Sequence, residues 1–219
     1  MKKRLALLSA LLMLSLCACG SGTVESDRES ATEVTTSISD EGTANQPEAE
    51  DASVEPGPQT ETNGILVAYF SATGTTTGVA EKIAAVTGGI LYEIVPSEPY
   101  TDSDLDYNDD NSRTTVEMNT PDARPELSGK PLSLEGFSTV YLGYPIWWGD
   151  APRIMSTFVE QYNFEGKTVI PFCTSGSSGI GESGNHLAKQ AGGGNWLDGQ
   201  RFDGGVSEKE LRSWIADLR

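Results

Sequence analysis

Five hydroxyl side chains crowd one short loop. Ser71, Thr73, Thr75, Thr76 and Thr77 stand with Gly74 and Gly78 inside the run Tyr69–Ala84, YFSATGTTTGVAEKIA. The loop leads from an apolar run into an amphipathic segment, so it lies at a helix N-terminus, where unpaired N–H groups and the positive end of the helix dipole attract an anion. The hydroxyls add donors, and Gly74 supplies the turn. The loop holds no lysine. A phosphate that is bound and never transferred needs no catalytic cation, so neutral dipoles are enough to hold it. Within this loop the patterns G-x-x-x-x-G-K-[ST] and G-x-G-x-x-G are both missing, which argues against a P-loop and against a dinucleotide fingerprint there. A hydroxyl-rich helix cap with no ligand is the plain alternative.

Two further loops carry chemistry. GYPIWWGDAP places Pro145, Ile146, Trp147, Trp148 and Gly149 after an apolar run, and two adjacent indoles offer a large flat apolar surface. Either tryptophan alone could be core filling; side by side, at least one is expected to face a ligand. TSGSSGIG, with Thr174, Ser175, Gly176, Ser178 and Gly179, is polar and glycine-rich, so its backbone can come close to a planar polar group. Together the three loops describe a ligand with a phosphate at one end and a planar aromatic system at the other.

Other chemistry fits less well. The stretch DSDLDYNDDNSR, from Asp102 to Arg113, imitates a calcium loop but has Tyr107 where glycine is needed and Arg113 where glutamate is needed. It reads instead as a turn and helix start, capped by Asn111 or Ser112 and running toward Met118. GSSG and GESG do not satisfy G-x-S-x-G, and the single histidine, His186, reads as a helix-surface residue, so neither a hydrolase nor a zinc site is expected. Cys173 reads as a small buried apolar residue.

The elements that position these loops follow from hydrophobic pattern. Residues 65–70, ILVAYF, form a continuous apolar run of the kind buried on both faces of a sheet. Val79, Ile83 and Val86 then mark a helix ended by Gly88 and Gly89. Further strands are expected at 90–95, 139–144 and 168–173, the last with Pro171 as an awkward member, and a fifth between Trp196 and Phe202. Ile154, Met155, Phe158, Val159 and Tyr162 form the stripe of another helix, with Asp150 expected as its cap and Pro152 in its first turn. Ser207 and Glu210 open a final helix as a capping box, followed by Leu211, Trp214, Ile215 and Leu218. A long insert, 96–137, separates the second and third strands, and either covers part of the ligand or presents a partner surface. Alternating strands and helices imply an α/β domain with a parallel sheet covered on both faces and ligands outside the carboxyl ends of the strands. All three loops lie there.

YFSATGTT, GYPIWWGDAPR and GKTVIPFCTSGSSG resemble the bacterial flavodoxin-like family over roughly residues 64–219. The resemblance implies a doubly wound five-stranded parallel sheet of order 2-1-3-4-5 and non-covalent FMN. It implies the FMN phosphate on Ser71, Thr73, Gly74, Thr75 and Thr76, and the isoalloxazine between Pro145–Gly149 and Thr174–Gly179. Trp148 is the expected stacking ring, because it precedes Gly149, which matches the family glycine whose peptide turns toward flavin N5. Asp150 and the acidic surface then disfavour an anionic reduced flavin. The implied function is electron transfer, with no catalytic residue of the chain's own. A flavin-dependent reductase of quinones or other small acceptors, and a flavin-free binding module, stay open beside it. Electrons are expected to pass to or from a redox partner protein or small acceptor, since about 157 residues leave no room for a nicotinamide domain.

The net charge of −17 disfavours nucleic acid, which needs clustered Lys and Arg, and disfavours lying flat on an anionic membrane. The N-terminus differs from the rest. Lys2, Lys3 and Arg4 lead into the apolar run Leu5–Ala18, too short to span a bilayer and suited to a secretory signal. LCACGS resembles a bacterial lipoprotein signal, which implies residues 1–18 as signal peptide, lipid on Cys19, and a site on the outer face of the cytoplasmic membrane. An ordinary cleaved signal is the alternative. From Gly20 to Thr62 acidic residues outnumber the single base, Arg28, by ten, and no apolar period runs through the segment. Residues 19–62 therefore read as a solvated tether with a reach of about 35 Å, and 63–219 as the domain. With Cys19 lipidated, only Cys173 remains in the domain, so no disulfide forms within it.

Overall fold

A computed structural model of the chain describes residues 64–129 and 131–218. The expected signal peptide, the Cys19 lipidation site and the tether to residue 62 lie outside the described residues. In chain order the elements are β1 (Ile65–Tyr69), α1 (Thr75–Thr87), β2 (Ile90–Glu93), β3 (Val95–Pro96), α2 (Arg113–Asn119), β4 (Leu127–Ser128), β5 (Thr139–Pro145), α3 (Arg153–Gln161), β6 (Thr168–Thr174), α4 (Ser183–Ala191), β7 (Asn195–Trp196), β8 (Gln200–Phe202) and α5 (Glu208–Asp217). The main sheet runs β2-β1-β5-β6-β7, with β8 also on β6, and every pairing in it is parallel. Counting β7 and β8 as one broken strand, this is the order 2-1-3-4-5 expected from the sequence.

Both faces of the sheet are covered, which is why the strands read as unbroken apolar runs. Alternate residues serve opposite cores. Leu66, Ala68 and Phe70 join Val140, Leu142 and Tyr144 under α3 and α4, while Val67, Tyr69, Tyr141, Ile170 and Phe172 pack under α1 and α5. Ser207 Oγ accepts a hydrogen bond from the Glu210 amide and the Glu210 carboxylate accepts one from the Ser207 amide, so the capping box forms as expected.

Two expectations need correction. Asp150 does not cap α3. Pro152 holds the N-cap position with no side-chain cap, and the Asp150 carboxylate instead accepts from the Ala151 amide at 2.9 Å. The fifth strand is two short pieces, and Pro171 explains the break. Val169 O accepts from the Leu197 amide, so alternate residues of β6, Pro171 included, face the β7 and β8 side. Pro171 has no N–H to give there, and it falls between the β7 pairing at Val169 and the β8 pairing at Phe172. The proline thus sits inside a central strand at the one step where its neighbour is interrupted.

The insert is bound to the body by polar contacts. Ser112 caps α2. Arg124 makes a two-pronged pair with Glu160, at 2.8 and 2.7 Å, which holds the Glu160 carboxyl below its ordinary range. The acidic stretch is folded into local turns: Asp106 accepts from the Asn108 amide and Asp109 from the Asn111 amide.

Gly143 and Phe172 are partners across β5 and β6, and a β-carbon on Gly143 would meet the Phe172 ring at 2.2 Å. Gly143→Ala is expected to destabilise the domain by about 1–3 kcal/mol through overpacking, read as a lower urea midpoint at unchanged slope.

Candidate functional site

The first loop begins where β1 ends. The Phe70 amide extends the ladder to Gly143 O at 2.9 Å, and its buried ring anchors the chain before the turn. Gly74 then takes the N-cap position of α1 with φ 83°, a left-handed conformation that suits glycine, and nothing lies within 4 Å of where its β-carbon would be. Among the described residues no side chain caps α1, and its first turn carries no acid. The positive pole of a 13-residue helix is therefore left without an anion of its own. Thr73 and Thr75 are exposed with their hydroxyls 3.4 Å apart. Thr76 differs: it is buried, and its hydroxyl lies 2.9 Å from that of Thr174, tying the start of α1 to the end of β6.

The second loop divides the two tryptophans. Trp147 and Asp150 exchange backbone hydrogen bonds at 2.9 and 3.0 Å, closing a four-residue turn. At its tip Trp148 has φ 46° and Gly149 φ 80°, the left-handed pair of a type I′ turn. Trp148 is the one non-glycine residue with positive φ among the described residues, a conformation that costs about 1–3 kcal/mol. Trp147 is buried, edge-on to Phe70 at 5.6 Å and to Tyr100 at 5.2 Å. Trp148 is 41% exposed and lies against Tyr107 of the insert, with ring centroids 4.5 Å apart and planes 33° apart. One indole fills the core, and the other is presented outward at the expense of backbone strain.

The third loop, after β6, is braced from below. Arg201 of β8 donates to Ser175 O at 3.2 and 2.7 Å and pairs with Asp203. Ser175 Oγ accepts from the Ser178 amide at 2.9 Å. Beneath it Cys173 is fully buried, and burial pushes its thiol up to about 12, against a smaller opposing effect of Arg201.

The three loops meet around a cavity of about 260 Å³. Of the residues expected at the site, Ser71, Thr73, Thr75, Thr76, Pro145, Ile146, Trp147, Thr174, Ser175 and Gly176 line it; Gly74, Trp148, Gly149, Ser178 and Gly179 do not. The insert adds Leu105 and Tyr107 to the wall. Neither was singled out from the sequence, where a lone aromatic inside an acidic run was the available signal. Arg201 was missed as well, because its role depends on which strand lies beside β6. A larger open groove, about 680 Å³, lies between β8 and α5, but none of the three loops lines it.

A family model described as flavodoxin matches residues 64–218. Among solved structures, the chain is 49% identical to a putative flavoprotein from Bacteroides eggerthii, over 70% of this chain and 96% of that one, with a TM-score of 0.67. It is 46% identical to a putative flavoprotein from Bacteroides uniformis, over 71% and 99%, with a TM-score of 0.68. A flavoprotein from Lactobacillus acidophilus, solved in complex with FMN, is 23% identical over 69% and 97%, with a TM-score of 0.52, a likeness of fold. No curated protein matches the chain.

Cys173 is expected to resist iodoacetamide in the folded protein at pH 8, where the thiolate is scarce and the sulfur enclosed, and to be alkylated once urea unfolds the chain. Peptide mass mapping reads both states.

Proposed function

The chain belongs to the flavodoxin family, and from that premise we propose that its domain binds FMN and carries electrons on the outer face of a bacterial cytoplasmic membrane. The observation that bears most of the weight is the start of α1: a helix pole with no acid and no side-chain cap, fronted by hydroxyls. That donor set suits a phosphomonoester. Ser71, Thr73 and Thr75 would hold the phosphate with the first-turn amides, while Thr76 fixes the loop through Thr174. The flat part of FMN suits the wall formed by Ile146, Trp147, Ser175 and Gly176. FMN supplies one- and two-electron chemistry when bound. The chain's own contribution is to orient the ring, keep water from it and set the charge around it.

Trp148 and Tyr107 are the residues that would close over the ring. Their exposed, tilted stack belongs to two separate segments, the β5 turn and the insert, so a planar group lying beside it gains aromatic contact from both. Tyr107 is partly enclosed, and this burial raises its phenol, so it stays neutral at physiological pH. An exposed aromatic turn also suits brief electron exchange with a partner. The lipoprotein-like N-terminus would keep the domain at the membrane through Cys19, with residues 19–62 as its reach.

Titration of the protein with FMN, followed by flavin fluorescence, is expected to show one tight site. Trp148→Ala and Tyr107→Ala are each expected to weaken it about 10-fold, the equivalent of a lost aromatic contact. A colourless protein that ignores added FMN would leave the flavin-free module standing. Rapid oxidation of NADPH by a quinone with no partner present would favour the reductase over the carrier.

Cys19→Ser is expected to move the protein from the membrane fraction to the soluble fraction of the producing bacterium. Membrane retention of the variant would count against the lipid anchor.

A further inference from the structure

His186 is the only histidine in the chain, and its imidazole meets the turn that carries Trp148. Nδ1 lies 3.2 Å from Asp150 Oδ1, and the other oxygen of that carboxylate lies 3.6 Å from Arg153 Nη1. The Asp150 backbone closes the turn on Trp147, a residue of the cavity wall. The segment leading into α4 runs against the same turn: a side chain at Gly181 would come within 3.9 Å of Gly149 O. The imidazole meets Asp150 from the β5 turn, which Arg153 of α3 also approaches, and the charged residues nearest to His186 along its own element are Glu182 at the N-cap of α4 and Lys189 in its last turn. Glu182 is turned to Asn185, from which it accepts at 2.9 Å. The Asp150 carboxylate, one residue from Gly149, is therefore shared between a permanent cation and a switchable one.

With Nδ1 facing the carboxylate, Nε2 is the nitrogen that gains or loses the proton. We propose that His186 is a positioning residue that links a proton to reduction of the bound cofactor, acting through Asp150 without touching the flavin; the inference rests on the FMN reading above. The electron comes from an external one-electron donor and the proton from water, taken up on Nε2; no bond to the cofactor is made or broken. Negative charge arriving at the flavin favours the imidazolium, and by reciprocity the imidazolium favours the reduced cofactor by the same factor. Reduction is therefore easier with the imidazole protonated and harder with it neutral.

A single histidine makes the test direct. Its imidazole proton signals, followed by NMR from pH 5 to 8 in the FMN-loaded full chain, are expected to titrate at higher pH after anaerobic reduction with dithionite than before. Proton binding should tighten roughly fivefold, at the lower end of ordinary coupling between sites. The potential of bound FMN should lose the matching pH dependence in His186→Gln, and stay at its low-pH level throughout in His186→Lys, which keeps the positive charge. Identical titrations in the oxidised and reduced protein, or an unchanged pH profile in His186→Gln, would overturn this inference alone. Failure to take up FMN would overturn the flavin reading and this inference with it.

Discussion

A helix start that carries no negative charge of its own is the constraint on which this domain turns. Among the described residues two of the five helix N-termini are closed by side chains: Ser207 and Glu210 close α5, and Ser112 caps α2. The start of α1 has Gly74 and a row of hydroxyls. In a strongly acidic protein, leaving that pole open to a ligand requires that nearby carboxylates be held elsewhere. They are: Asp104 is folded back on Thr101, a pair of contacts that lowers its carboxyl, and Asp106 and Asp109 serve local turns. The buried bond between Thr76 and Thr174 then joins this pole to the loop after β6, so the two are held in one frame.

The second loop follows a different logic. Its base is regular, closed by the reciprocal bonds of Trp147 and Asp150, while its tip holds a tryptophan in a backbone conformation that glycine would adopt more easily. Strain of this kind persists only where the surrounding structure holds it, and it collects at ligand sites. Here the holding contacts are Trp147 in the core, Tyr107 against the strained ring, and the Asp150 carboxylate between Arg153 and His186.

Much of this was legible from the residues. β1, α1, the Ser207 cap and the three strand-end loops all follow from local periodicity and turn chemistry, which a sequence carries explicitly, while the strand order was implied by the family resemblance. What could not be read depends on partners distant in the chain. Pro171 looks wrong for a central strand until β7 and β8 are seen to part beside it. Asp150 has the residue type and spacing of a helix cap, yet a tight turn, Arg153 and His186 claim it. The two tryptophans are identical in the sequence, and only the left-handed turn at Trp148 sends one inward and the other out. Tyr107 and Arg201 matter because of the segments they face, 41 and 26 residues away, at Trp148 and Ser175.

The most direct test of the open helix pole compares FMN with riboflavin, which has the same ring but no phosphate, by fluorescence titration of the same protein preparation. FMN is expected to bind at least 100-fold more tightly, about 3 kcal/mol, and inorganic phosphate is expected to weaken FMN while leaving riboflavin unaffected. Equal affinity for the two flavins would mean that the start of α1 holds no phosphate, and would contradict the account at its root.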